Sequence, residues 1–145
     1  MIHINSITNA LKTVLTNDAT LISENVDIQV NEIFNTDASI TPWLGIYHQP
    51  FTIEPHTAAF QAPWLAEVKP VIYLQVIENT FQGESKCNNL DKLLFDVLTV
   101  VNSNRTLLYT VDMLTDISVT PFELDIDNDN SSITYEINLN YEKRV

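Results

Sequence analysis

The clearest pattern of apolar and polar positions lies near the C-terminus, in residues 133–141. Apolar or aromatic residues alternate there with polar ones: Ile133, Tyr135, Ile137, Leu139 and Tyr141 alternate with Thr134, Glu136, Asn138 and Asn140. A period of two is typical of a β-strand with one buried face. The segment therefore predicts the closing strand of a sheet, and the acidic stretch 125–132 predicts a turn at its entrance.

Two other segments have the 3.6-residue period of amphipathic helices. The first helix is predicted over about residues 4–17, and the second follows an apolar stripe over 90–101. Asp91 is predicted to lie near the positive end of the second helix dipole. The candidate N-caps are Asn5 and Ser6 for the first helix and Ser85, Asn88 and Asn89 for the second.

Apolar and β-branched runs predict four further strands, at 26–30 continuing toward Phe34, at 43–47, at 71–77 and from 117 toward 124. The run 71–77 is apolar on both faces, which is typical of a central strand that is covered on both sides. The element order is then α-β-β-β-α-β-β. It predicts an α+β fold: a mixed, mostly antiparallel sheet with two helices on one face.

The 145 residues have the length of one domain, so we predict a single domain over 1–145. Within it, residues 49–69 fit neither period and contain three prolines and no glycine. An irregular loop or hairpin insertion of this length often binds a partner. Its candidate anchors, which would alternatively form a lid on the sheet, are Phe51, Ile53, Phe60 and Trp64.

The charge of the chain disfavours several partners. With 7 basic and 19 acidic residues the formal net charge is −12, which opposes binding to nucleic-acid phosphates or to an anionic membrane. Two glycines are too few for a glycine-rich phosphate loop. We expect neither a membrane helix nor a signal peptide, since no apolar run is long enough and Met1–Ser6 has no basic start.

The acidic turn partly matches a calcium-binding loop. Asp125, Asp127, Asp129 and Glu136 take positions 1, 3, 5 and 12 of such a loop, but Asn130 stands at position 6, where glycine is required. The flanking strands also differ from the helices of that motif. We therefore interpret the stretch as a turn of surface acids, and keep a calcium-dependent binding module, or a weak divalent-ion contact at a subunit boundary, as alternatives.

The residues that could carry catalysis form no recognisable motif. Cys87 is the only cysteine, and none of His3, His48 and His56 stands in a cysteine-enzyme signature. His48 and His56 with Glu54 between them are too few for a metal site. We therefore predict no catalytic residue, no cofactor and no metal; an enzyme that uses Cys87 is the remaining catalytic alternative.

Four features together resemble the lambda-type tail terminator, or tail completion, proteins of long-tailed bacteriophages. They are the opening helix 3–15, the apolar segment after a proline at 42–47, the strand 71–77 followed by the helix 90–101, and the acidic stretch that leads into 132–141. The resemblance spans nearly the whole chain. Residues 49–69 are the part that matches it least.

The resemblance implies a virion structural protein rather than an enzyme. Proteins of that family form a homo-oligomeric, hexameric ring at the head-proximal end of the tail tube, stop tube polymerisation and offer a joining surface to neck or head-completion proteins. Assembly would take place in the host cytoplasm, and DNA would only pass through the channel. The hypothesis that follows places Asp125, Asp127 and Asp129 at the channel or a subunit boundary.

A ring of this kind needs contacts between two different patches of neighbouring copies. The aromatic segment 49–69 and an exposed sheet edge are the expected patches. A neck adaptor or head–tail joining protein on the same scaffold is the alternative within the same class.

Overall fold

The computed structural model describes residues 3–31, 42–55, 64–79, 83–125 and 130–145. This described part of the chain contains three helices and five strands. The helices are α1 (Ile4–Thr16), α2 (Ala19–Ser23) and α3 (Gly83–Ser103), and the strands are β1 (Asp27–Val30), β2 (Trp43–Pro55), β3 (Trp64–Asn79), β4 (Met113–Asp125) and β5 (Asn130–Arg144).

The strands form one mixed sheet in the order β1-β2-β3-β5-β4. Only β1 and β2 are parallel; the other three neighbouring pairs are antiparallel. The predicted α+β class, the mostly antiparallel sheet and the element order are confirmed. The short helix α2 is an additional element between α1 and β1. Five residues are too few to produce a helical period, which is why the pattern does not predict it.

One face of the sheet packs against α1 and α3 to form the core. Ile72 on β3 lies opposite Ile137 on β5, and Leu74 opposite Tyr135, so the alternation of both strands directs the same apolar set toward the helices. Ile72, Leu74 and Ile137 are fully buried. Burying one such side chain contributes about 1.5–3 kcal/mol.

The other face of β3 is buried at the centre of the sheet as well. Trp43, Gln75 and Thr134 lie side by side across β2, β3 and β5, and all three are at most 2% exposed. Val71 and Ile77 on the same face are also buried. The prediction of a central strand covered on both sides is therefore confirmed.

The helix α1 begins at Ile4 and ends at Thr16, close to the predicted range 4–17, but its N-cap is not one of the predicted residues. His3 precedes α1 in extended conformation, and its side chain makes no capping hydrogen bond. Asn5 and Ser6 lie inside the helix, so their prediction as caps is wrong. Asp18 does cap a helix, α2, by accepting a hydrogen bond from the Leu21 N–H at 3.0 Å.

The helix α3 begins at Gly83, seven residues before its apolar stripe. The predicted caps Ser85, Asn88 and Asn89 therefore lie inside it, and Asp91 is in its third turn. Because residues 83–89 are mostly polar, the hydrophobic period cannot reveal that they are helical. Asp91 accepts a hydrogen bond from the Tyr135 hydroxyl on β5, so it ties α3 to the sheet.

Candidate interaction surfaces

The segment predicted to be an irregular loop or hairpin consists of strand at both of its ends. Residues 49–55 belong to β2 and residues 64–69 to β3, and the two strands pair from Trp43 opposite Gln75 to Pro55 opposite Trp64. The strand β1 pairs only with residues 43–46 of β2. We call residues 47–55 and 64–71 the arm, because this pair of strands continues past the end of β1.

A β-bulge explains why the arm has no visible period. Gln49 pairs with Lys69 but Thr52 pairs with Glu67, so Pro50 and Phe51 together lie opposite a single residue of β3. An extra residue shifts the alternation by one. Proline, which has no N–H to donate, is tolerated at such a position. As a result Phe51 and the following odd-numbered residues join the helix-side face of the sheet.

Four residues line an apolar hollow on this face. They are Phe51, Ile53, Trp64 and Val145, around a volume of about 510 Å³; we call it the arm hollow. Ile53 is 51% exposed and Trp64 48% exposed, whereas Phe51 packs partly against the core. The structure thus brings together three of the four predicted anchors.

The fourth predicted anchor, Phe60, lies outside the described residues. Val145 was not predicted, because a single terminal valine carries no pattern of its own. It is positioned by pairing with Trp64: the Val145 N–H donates to the Trp64 carbonyl at 2.9 Å, and the Trp64 N–H donates back at 3.3 Å. The signal for Val145 is therefore the register of the closing strand, which continues past the alternating segment.

A second apolar surface is a turn after α3. Leu107, Leu108 and Tyr109 have φ angles of 43°, 55° and 65°, a left-handed conformation that costs roughly 1–2 kcal/mol for each residue other than glycine. Leu107 is fully buried, but Leu108 is 55% and Tyr109 90% exposed. We call Leu107–Tyr109 the apolar turn. Nothing in its sequence predicts this conformation, since Leu and Tyr do not favour it.

Hydrogen bonds to the end of β5 hold the segment that follows the apolar turn. The Lys143 ammonium donates to the Thr110 carbonyl at 2.6 Å, and the Thr110 hydroxyl donates to the Leu107 carbonyl at 2.8 Å. The Arg144 N–H donates to Asp112 Oδ2 at 2.7 Å. Backbone strain persists only where the surrounding contacts enforce it, and it concentrates at functional positions.

The free edges of β4 and of β2 beyond β1 have features that disfavour the addition of another strand. The outer strand β4 contains Pro121 and a bulge at Thr115, and the Thr115 hydroxyl donates to the Asn140 carbonyl at 3.0 Å. The free edge of β2 contains Pro50 and Pro55. Prolines and bulges on edge strands block the row of hydrogen bonds that a second strand needs.

The structure keeps Glu136 away from the acidic turn. Asp125 ends β4 opposite Ser131, and Glu136 is five residues further along β5, about 17 Å at roughly 3.4 Å per residue. Its Oε1 accepts a hydrogen bond from the Tyr73 hydroxyl at 3.3 Å, and burial, followed by the charge of Glu136, raises the pKa of Tyr73. Four ligands of one calcium loop would have to converge, and these two do not.

The other acids of that register, Asp127 and Asp129, lie outside the described residues. Within the described ranges no group of three or more His, Cys, Asp or Glu side chains is placed to hold a metal ion.

The histidines that the structure describes form no metal site either. His48 lies at the base of the arm on the helix side, where its Nδ1 donates to the Gln49 carbonyl at 2.8 Å and its ring meets Phe51 edge-on at 5.6 Å. Burial lowers the pKa of His48, more than the bond to Gln49 raises it. Glu54 is on the opposite face, since it neighbours Ile53, and His56 lies outside the described residues. Cys87 lies within α3.

No helix in the described part of the chain is both long and apolar enough to cross a membrane.

These surfaces belong to an α+β domain with exposed apolar side chains in the arm and in the apolar turn. No model of a known protein family and no curated protein matches the chain. A chain of the virion of a native gene transfer agent particle has a similar arrangement, with 10% identical residues, a TM-score of 0.37 and 93% of each chain covered. A likeness this distant carries no conclusion about function.

Proposed function

We propose that this chain is a structural protein of a phage-like virion, which forms a ring on the head-proximal end of the tail tube. The ring ends tube polymerisation and offers the surface to which the head or neck joins. The observation that carries the proposal is the presence of two different exposed apolar surfaces, the arm hollow and the apolar turn, on a domain whose element order resembles that of tail terminators. Contacts between unlike patches are what a closed ring requires.

The residues that carry the resemblance also organise these surfaces. The closing strand β5 lies between β3 and β4, and its last residues contact both Trp64 in the arm and Thr110 after the apolar turn. A change in the register of β5 would therefore displace both surfaces at once.

The charge of the chain fits the passage of DNA through such a ring. Six copies at −12 each give a formal charge of −72, which repels phosphates as long as part of it faces the channel. We place the acidic turn of Asp125, Asp127 and Asp129 at the channel. Normal assembly and normal DNA passage after all three are changed to asparagine would remove this part of the proposal.

The test combines the purified chain with polymerising tail-tube protein. Negative-stain imaging should show rings of about six subunits at one end of tubes that stop growing, and light scattering over a concentration series should show whether rings also form alone. A Phe95→Ala variant, which alters an exposed aromatic residue of α3, is the control for surface changes in general. Tubes that grow to the same length with and without the chain would contradict the proposal.

A neck adaptor or head–tail joining protein on the same scaffold is the alternative within this class. The same mixture separates the two, because an adaptor would bind the connector of the head and leave tube growth unchanged. The calcium-binding alternative is disfavoured by the position of Glu136, and calorimetry that detects calcium binding would restore it. Alkylation of Cys87 tests the enzyme alternative, which a loss of a measurable activity would support.

A further inference from the structure

We propose that the apolar turn of one copy docks into the arm hollow of a second copy. The contact rests on the proposed function only for its place in a ring. The docking itself is an interaction between two copies of this chain and is tested separately.

Both surfaces are apolar, and one is a turn while the other is a hollow. Tyr109 is 90% exposed on the turn, and Leu108 beside it is 55% exposed and also borders a groove between α1 and α3. Phe51, Ile53, Trp64 and Val145 line the hollow. The hollow has a volume of about 510 Å³ and is open to solvent. Tyrosine and tryptophan are also the residues that most often dominate the energy of protein interfaces.

The distribution of charge favours a second copy as the occupant. Both surfaces lie at the end of the sheet formed by residues 51–55, 64–68, 113–114 and 141–145, together with the segment 104–112. We call it the arm end. Its charged residues are Glu54, Glu67, Asp112 and Glu142 and, with opposite sign, Arg105, Lys143 and Arg144.

The arm end therefore has a net charge of −1, and the rest of the chain has −11 of the total −12. Copies with a large charge of one sign repel each other, so they approach with least repulsion where the local charge is balanced. A basic partner or a cation would instead be attracted to the remainder of the surface.

The free edges of β4 and of β2 beyond β1 favour docking through side chains rather than through backbone pairing. Pro121 and the bulge at Thr115 interrupt the edge of β4, and Pro50 and Pro55 interrupt that of β2. Strand addition needs an uninterrupted edge. A contact between the apolar turn and the arm hollow needs none.

The size of the contact indicates how tightly two copies bind. Ile53, Trp64, Leu108 and Tyr109 are 48–90% exposed, which amounts to roughly 500 Å² if a large side chain has about 150–250 Å². A stable pair of proteins buries about 1,600 Å². Two copies therefore bind weakly, and a stable assembly requires several such contacts in a closed ring or the support of the tube end.

Cysteine cross-linking captures a weak contact and tests the docking directly. In a Cys87→Ser background, one variant has Leu108→Cys and another has Ile53→Cys, both at half-exposed sites. Under mild oxidation of the mixture we expect disulfide-linked heterodimers. In the control mixture Ile22→Cys, an exposed site on α2, replaces Leu108→Cys, and the heterodimer yield of the test mixture should be at least ten times the yield of this control. Adding Trp64→Ala to the Ile53→Cys chain should lower the yield several-fold. A yield equal to that of the Ile22→Cys control would overturn the proposal.

A chain with both cysteines distinguishes the docking from the proposed ring. Cross-linked species larger than dimers, up to a closed ring, would support both the docking contact and the ring. A product that stops at the dimer would support the docking but show that two copies exchange turns reciprocally, which contradicts the ring. Rings on tube ends without any cross-link above the control would overturn the docking and leave the proposed function standing.

Discussion

The strand β3 passes through two regions of the sheet. On the same face of the sheet, its side chains are buried beneath the helices in one region and are partly exposed to solvent in the other. At the centre, Ile72 and Leu74 are fully buried beneath the helices; at the arm end, Trp64 on the same face is 48% exposed. The apolar face thus continues past the end of the layer that covers it. Exposed apolar surface of this kind often marks a site of protein contact. The same kind of substitution should therefore change the free energy of unfolding by different amounts in the two regions.

The largest change in the free energy of unfolding is expected in the buried central part of β3. Leu74→Ala removes a fully buried side chain and leaves a cavity, which should lower the free energy of unfolding by about 2–5 kcal/mol. Trp64→Ala removes a larger side chain that is already half solvated, so its effect should be about 1–2 kcal/mol, below the range for buried tryptophan. Urea denaturation of both variants measures the difference.

The comparison would fail if Trp64→Ala destabilised the chain as much as Leu74→Ala. The arm hollow would then be part of the core in solution, covered by the chain itself. It would no longer be available to a partner.

Removing a buried hydroxyl should raise the free energy of unfolding instead of lowering it. Tyr141 on β5 is fully buried, its hydroxyl has no hydrogen-bond partner among the described residues, and burial raises the pKa of Tyr141. An unsatisfied buried polar group costs about 1–3 kcal/mol, so Tyr141→Phe should raise the free energy of unfolding by roughly 1 kcal/mol. Tyr135→Phe, which removes the donor to Asp91, is the matched control and should be destabilising. A loss of stability in Tyr141→Phe would show that the hydroxyl is hydrogen-bonded.

The sheet could be predicted from the sequence because its central strands alternate without interruption. Residues 133–141 indicate β5 directly, and 71–77 indicate a strand with two buried faces. The arm could not be predicted as strand, because the bulge at Pro50 and Phe51 shifts the alternation and the periodic signal cancels. The start of α3 cannot be predicted for a similar reason, since its first turns have no apolar stripe.

The candidate surfaces were predictable in part. Large aromatic residues in a segment without a helical period pointed to Phe51 and Trp64, and the structure places both in one hollow. The apolar turn has no signal in the sequence, because Leu and Tyr do not favour the left-handed conformation. The hydrogen bonds that hold the next residues, at Thr110 and Asp112, come from Lys143 and Arg144, more than 30 residues away, so a local pattern cannot reveal them.

Relieving the backbone strain in the apolar turn should change the free energy of unfolding by less than the substitutions above. Tyr109→Gly relieves a left-handed residue, a gain of roughly 1–2 kcal/mol, against about 0.5–1 kcal/mol for the flexibility of glycine. We expect a net gain in the free energy of unfolding of about 0.5–1 kcal/mol. Tyr109→Ala keeps the strain and loses the same exposed ring, so it should gain nothing. Equal stability of the two variants would mean that the turn is not strained.

The smallest expected effect concerns His48, at the boundary between the covered centre and the arm. Burial lowers its pKa in the folded chain, so near and below the unfolded value of about 6.5 the unfolded chain binds more protons. The stability that neutral His48 confers is therefore complete above that pH and is lost as the pH falls toward the folded pKa. His48→Asn keeps a donor for the Gln49 carbonyl but cannot be protonated. Its free energy of unfolding, relative to the unaltered chain, should rise between pH 7 and pH 5, and a His3→Asn control corrects for loss of a histidine as such. If the difference in free energy of unfolding stayed constant over that range, His48 would be exposed to solvent, and the covered part of the sheet would end before residue 48.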